Sequence, residues 1–131
     1  MTELTRILHI EDDLDISQIT GMALEMIGGF TILQCDRGQK AIDQIEGFAP
    51  QLILSDVQMP GLTGPETLAE IRKMPGYENI PAVFLTARLT DGCAGIRNHP
   101  MDLDIIGKPF DPTTLAEQVR AIWNENLDAA A

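Results

Sequence analysis

Basic residues are scarce in this chain: 9 Lys and Arg stand against 20 Asp and Glu, for a net charge of -11. No cluster of Lys or Arg interrupts the acid, so a phosphate backbone would be repelled and direct nucleic-acid binding is not expected. Cysteine is nearly absent. Cys35 and Cys93 have neither metal-ligand spacing nor a partner motif, and they read as reduced thiols rather than a disulfide. No apolar run approaches the length of a membrane span, and the N-terminus lacks the charged-then-apolar pattern of a secretion signal. The expectation is a soluble, cytoplasmic protein without membrane contact. Repeats, low-complexity tracts and interdomain linkers are missing too. At 131 residues the chain can hold one domain with a proper core and is too short for two of ordinary size. That domain is placed at residues 1–127, with 128–131 as a disordered C-terminal tail.

What the chain does have is a regular alternation. Short apolar runs rich in leucine and β-branched residues occur at "RILHI" (6–10), "TILQC" (31–35), "QLILS" (51–55), "AVFLT" (82–86) and "LDII" (103–106). Several are apolar throughout, which suits strands buried on both faces. Helical patterns lie between them. From Ile16 the positions Ile19, Ala23, Met26 and Ile27 fall on one helical face, taken as core, and Gly28-Gly29 stops that helix. Leu68, Ile71 and Met74 form a second stripe, with Pro65 near its start and Pro75 at its end. Leu115, Val119 and Ile122 form a third, following Pro112. Strand–helix alternation of this kind predicts a doubly wound α/β domain, a parallel sheet with helices on both faces. The stretch "RLTDGCAGIRNHPMD" is the weak link: Gly92, Gly95 and Pro100 break its apolar stripe, so a helix within 91–101 is short or marginal.

Ligands of such sheets bind beyond the carboxyl ends of the strands. Glu11 and Asp12 follow the first run, Asp56 the third, Thr86 ends the fourth, and Lys108 follows the fifth. Glu11, Asp12 and Asp13 in "ILHIEDD" are like charges side by side, which is unfavourable unless a cation or solvent takes up the charge. Asp12 and Asp56 offer hard oxygen ligands to Mg2+, and Glu11 is placed to orient its waters. A carboxylate is also a nucleophile toward phosphorus, while a lysine, a hydroxyl and a divalent cation neutralise phosphoryl oxygens as charge shifts. Singly, each residue has a plainer reading. Asp12 or Asp13 could cap the next helix, Asp56 could belong to a turn, Thr86 could be a strand-end hydroxyl and Lys108 a surface charge. Four successive strand ends carrying the whole set make those readings improbable.

The motifs "IEDD", "LILSDVQMPGLTG", "IPAVFLTAR" and "KPF" occur in the order and at the separations of one family. Over essentially its whole length the chain resembles the response-regulator receiver domain of two-component signalling. The resemblance implies a five-stranded parallel sheet of order 2-1-3-4-5, the flavodoxin-like receiver fold, with Asp56 as the phosphoacceptor. It implies an Mg2+ site served by Glu11, Asp12, Asp56 and the backbone carbonyl of Gln58. Thr86 and Lys108 are implied as phosphoryl-binding residues, and the Lys108-Pro109 bond as cis. Where the family often has Tyr or Phe, three residues before the lysine, this chain has Ile105, which cannot relay a change through a ring with a polar edge. Gln58 and Arg88 flank the site and bear on how fast the phosphoryl group is lost to water. His9, within a buried strand, and His99, before Pro100, are poor phosphodonor candidates.

The function expected is a phosphorylation-controlled module that is not an enzyme in its own right. A histidine kinase or histidine phosphotransfer protein passes its phosphoryl group to Asp56, and the new charge shifts an inactive–active equilibrium. Output then passes to an unknown downstream protein or through a homodimer. The alternatives are a phosphate sink or a constitutive adaptor with the same fold. A haloacid-dehalogenase-like phosphatase is disfavoured, because Gln58 stands where that family needs a second acid. A calcium loop counted from Asp13 fails, with Gln18 at its glycine position and Leu24 at its bidentate-glutamate position. A flavodoxin is disfavoured as well, since the run of acids would repel the flavin phosphate.

Overall fold

A run of leucine and β-branched residues with no polar alternation needs apolar cover on both faces; all five expected runs form strands of one sheet, with the edge strand Thr31–Cys35 the least covered. The computed structural model describes residues 3–87 and 96–128. The strands are β1 (Arg6–Ile10), β2 (Thr31–Cys35), β3 (Leu52–Asp56), β4 (Ala82–Thr86) and β5 (Asp102–Gly107). All pairings are parallel and the order is 2-1-3-4-5, as expected. The helices are α1 (Leu14–Met22), α2 (Gly38–Phe48), α3 (Gly64–Ile71) and α4 (Leu115–Trp123). π-helical turns extend α1 over Ala23–Ile27 and α4 over Asn124–Asp128.

Alternate residues of each strand feed two apolar layers. Ile7, Leu52, Leu54, Val83 and Leu85 join Leu115, Val119 and Trp123 on one face. On the other, Leu8, Ile10, Ile53 and Phe84 join Ala41, Ile45, Leu68 and Ile71. Strands β3 and β4 are buried at every residue, so the sheet centre is fixed by packing from both sides. Helix starts follow local chemistry. Asp13 accepts a hydrogen bond from Ile16 N–H at 3.1 Å to begin α1. Thr63 and Glu66 form a reciprocal capping box at α3, with Pro65 in its first turn. Among the described residues no helix is long and apolar enough to cross a membrane.

Two expectations need adjustment. Asp56 is the last residue of β3 rather than the first beyond it, because the strand is shifted one residue along. Of the face of Ile19, Ala23, Met26 and Ile27 only Ala23 is core: Ile19, Met26 and Ile27 are exposed, as are Leu14 and Met22. Thr20, Gly21, Ala23 and Leu24 are the buried residues of this segment. The change to π winding from Ala23, with Gly28 N–H reaching back to the Ala23 carbonyl at 3.1 Å, adds a residue to the turn and breaks the 3.6-residue extrapolation to Met26 and Ile27, while Ile19 is already exposed within the regular part of α1. As for the stretch 91–101, residues 96–101 form turns and irregular backbone, while 91–95 lie outside the described residues, with Arg88 and Cys93. Cys35 is buried as a free thiol.

An ion pair and a histidine are buried among the apolar layers. Arg72 Nη1 lies 2.8 Å from Asp102 Oδ1, with side-chain exposures of 8% and 1%. Arg72 Nη2 donates to the Ile80 carbonyl and Asp102 Oδ2 accepts from the Asn98 and His99 N–H groups, while Arg72 Nε is buried without a hydrogen-bond partner among the described residues. His9 is fully buried. The Gln34 amide nitrogen donates to the Ser17 carbonyl at 2.7 Å and lies 3.1 Å from His9 Nδ1, so that ring nitrogen is the acceptor. Burial, helped by the charge of Lys108, pushes the His9 pKa down to about 3.

Replacing Arg72 by Met strands a buried carboxylate and should lower stability by about 3–5 kcal/mol, whereas adding Asp102→Asn to it should recover part of the loss. Denaturant titration of the two variants checks this. The His9 shift has a definite sign: the unfolded histidine takes up a proton near pH 6.5 and the folded one does not until about pH 3. Stability from this group is therefore complete above pH 6.5 and falls as the pH drops toward 3. The contribution of His9 to the slope should approach about 1.4 kcal/mol per pH unit between pH 6 and 5, so the slope measured for the parent should exceed that of His9→Leu by about this amount.

Candidate functional site

Parallel register brings the ends of β1, β3, β4 and β5 level, and the expected residues assemble there. Ile10 pairs with Ser55, Asp56 with Leu85, and Thr86 with Gly107. Glu11, Asp56 and Thr86 are all buried, at 2%, 8% and 5% exposure, and Asp12 is open to solvent. The backbone joins the same ends: Val57 N–H donates to the Leu85 carbonyl at 3.1 Å, and Lys108 N–H to the Thr86 carbonyl at 2.7 Å. The Lys108-Pro109 bond is cis, as the resemblance implied.

The three consecutive acids take three different orientations. Glu11 turns inward, with Oε1 receiving Lys108 Nζ at 2.7 Å and Oε2 receiving Asp13 N–H at 3.2 Å. Asp13 caps α1. Asp12 stays exposed at the mouth. Lys108 Nζ also lies 3.2 Å from Asp56 Oδ1, which accepts Val57 N–H at 2.8 Å. One ammonium group thus bridges the carboxylates of β1 and β3.

The charges respond as expected of a crowded, half-dry site. Burial pushes the Glu11 carboxyl up, and its bonds from Lys108 and Asp13 offset this only in part. Burial works against the Lys108 cation, but the hydrogen bond to Glu11 and the charge of Asp56 outweigh it and hold its pKa above the ordinary lysine value. Lys108 is therefore a fixed positive charge throughout the neutral range.

Carboxylate oxygens of Glu11, Asp12 and Asp56 converge within 4.8 Å of one another. A small, hard cation suits this donor set: all ligands are carboxylate oxygens and one side is open to water, as Mg2+ prefers. With both Glu11 oxygens already bonded, Asp12 and Asp56 are the freer donors. Gln58 is exposed and lines the hollow above Asp56, which has a volume of about 530 Å³ and is also lined by Ile16, Thr86, Ala87 and Lys108. Ile105 is partly buried against the α2–α3 layer, away from this hollow's lining.

Two contributors escaped the sequence reading. Ile16 appeared there only as the start of a helical stripe, yet its side chain walls the hollow. Gly64 passes so close to the chain that a Cβ would sit 2.2 Å from the Asp56 carbonyl oxygen, while its N–H donates to the Val57 carbonyl at 2.9 Å. The glycine beside the Thr63 cap was the available signal. His9 and His99 are no part of the site: the first is buried in β1, and His99 Nδ1 accepts from Met101 N–H.

Comparison with known proteins agrees with this geometry. The model of the response regulator receiver domain matches residues 7–120. A transcriptional regulatory protein CpxR homolog of Haemophilus influenzae is 32% identical over 91% of this chain and 50% of its own length. Response regulator Rre1 of Synechocystis is 31% identical over 92% of this chain and 52% of its own. The chain thus spans about half the length of the curated relatives it matches. The structure of the chemotaxis protein CheY4 of Vibrio cholerae superposes with a TM-score of 0.78 at 23% identity, covering 91% of this chain and 98% of that one, and shows the same fold. With the family model, the fold and the strand-end site in agreement, the chain belongs to the response regulator receiver domain family.

Proposed function

We propose that this chain is a cytoplasmic phosphorylation switch that takes a phosphoryl group on Asp56 from the phosphohistidine of a histidine kinase or histidine phosphotransfer protein. The observation that carries the reading is the Lys108 bridge: a half-buried ammonium 3.2 Å from Asp56 Oδ1 and 2.7 Å from Glu11 Oε1. Such a group serves little purpose for a solvated loop, but it is what a dianionic adduct on Asp56 requires.

In the transfer an Asp56 carboxylate oxygen attacks phosphorus, the P–N bond of the donor breaks, and the electron pair leaves with the imidazole. Lys108 holds positive charge beside the incoming phosphoryl oxygens, and the Thr86 hydroxyl, at the end of β4, stands to bond one of them. Glu11 keeps Lys108 aimed at Asp56. Asp12, Asp56 and the Gln58 carbonyl would hold Mg2+, which would neutralise phosphoryl oxygens and relieve the repulsion among the acids. The added charge then changes how the domain meets a downstream partner. Thr86, pulled toward the phosphoryl group, and the packing of Ile105 on β5 carry that change outward.

Incubation with acetyl phosphate and Mg2+ should add the mass of one phosphoryl group to the parent and none to Asp56→Asn, read by intact-mass spectrometry. Labelling of the variant would move the acceptor elsewhere. Excess chelator should abolish labelling of the parent, and transfer that persists undiminished would sink the assignment of Asp12 as a metal ligand.

A further inference from the structure

Two hollows meet over the phosphoacceptor. The one above Asp56 and an apolar groove of about 370 Å³, faced by Ile19, Pro109, Phe110 and Pro112, share a wall made of Ile16, Ala87 and Lys108. Around the hollow above Asp56 the side chains of Asp56, Gln58, Thr86 and Lys108 can all hold water by hydrogen bonds, and those of Ile16 and Ala87 cannot. Ala87 is small, so among the described lining residues Ile16 is the larger apolar side chain. Its place is well determined. Its N–H donates to Asp13 Oδ1 at 3.1 Å, and the Asp13 N–H in turn donates to Glu11 Oε2 at 3.2 Å. A β-branched side chain in a helix has one strongly preferred χ1, so Ile16 stands as a stiff baffle rather than a mobile cover.

Loss of an aspartyl phosphate to water is an in-line displacement. The water oxygen bonds to phosphorus, the P–O bond to Asp56 breaks, the carboxylate keeps the electron pair, and the proton passes to solvent with inorganic phosphate. The hollow above Asp56 is one approach for that water. We propose that Ile16 is a positioning residue that restricts water above Asp56 and so sets the lifetime of the phosphorylated form. The inference rests on Asp56 being the phosphoacceptor.

The test follows the decay of full-length protein loaded with acetyl phosphate and Mg2+, freed of donor by rapid desalting and read by intact mass. Ile16→Ala, which opens the wall, and Ile16→Gln, which keeps its bulk but binds water, should lose the phosphoryl group several-fold faster than the parent. Ile16→Val should restore a lifetime close to the parent's, a rescue that a general loosening of α1 would not produce. Ile19→Ala, altered one turn on and facing only the groove, should decay at the parental rate. Equal decay in parent, Ile16→Ala and Ile16→Gln overturns the inference, as does equal acceleration in Ile19→Ala. A parent that never gains a phosphoryl group overturns the reading of Asp56 itself, and this outcome is separate from the others because it precedes any decay.

Discussion

The ammonium of Lys108 is the contact around which the site is arranged. It spans residues far apart in the chain, Glu11 and Lys108 being separated by 97 positions, and it ties the ends of β1, β3 and β5 together. Without it, Glu11 would be an ionised group buried to 2% exposure beside a second acid, which is among the least favourable arrangements a protein interior can hold. With it, the two carboxylates share one positive charge, and the remaining negative charge points to the open side. The sheet makes this possible because parallel register sets all the relevant strand ends at one level.

Much of this was legible in the sequence, and the reason is that its strongest signals are local. Uniformly apolar runs identified the five strands, with β3 displaced by one residue because Asp56, though charged, still pairs within the ladder. Residues at strand ends are brought together by topology alone, so Glu11, Asp12, Asp56, Thr86 and Lys108 could be named without any coordinates. The acids of "EDD" looked alike in sequence and differ in space. Their separate tasks depend on which way each side chain turns, and that is settled by Lys108 and by the start of α1.

What was not legible depends on partners distant in the chain or on a change of helical winding. Nothing near Arg72 or Asp102 announces a buried ion pair, since each reads as an ordinary charge until β5 is placed beside the end of α3. The same holds for Gly64, whose need to be glycine comes from the Asp56 carbonyl. In α1 the periodic rule failed. Its 3.6-residue spacing was carried across a π-helical turn, so Met26 and Ile27 were assigned to a core from which they are turned away.

That turned-out apolar face bears on how the protein behaves in bulk solution. Leu14, Ile19, Met22, Met26 and Ile27 expose hydrophobic surface on one segment, in a stretch where no Lys or Arg occurs between Arg6 and Arg37. Between two copies the shared charge of -11 opposes contact through this face at low ionic strength. Salt shortens the reach of that repulsion to about 3 Å at molar concentration while strengthening hydrophobic contact when the anion is sulfate or phosphate. Colloidal stability of the molecule is therefore electrostatic in origin, and it is greatest in dilute buffer well above the isoelectric point of about 4.3.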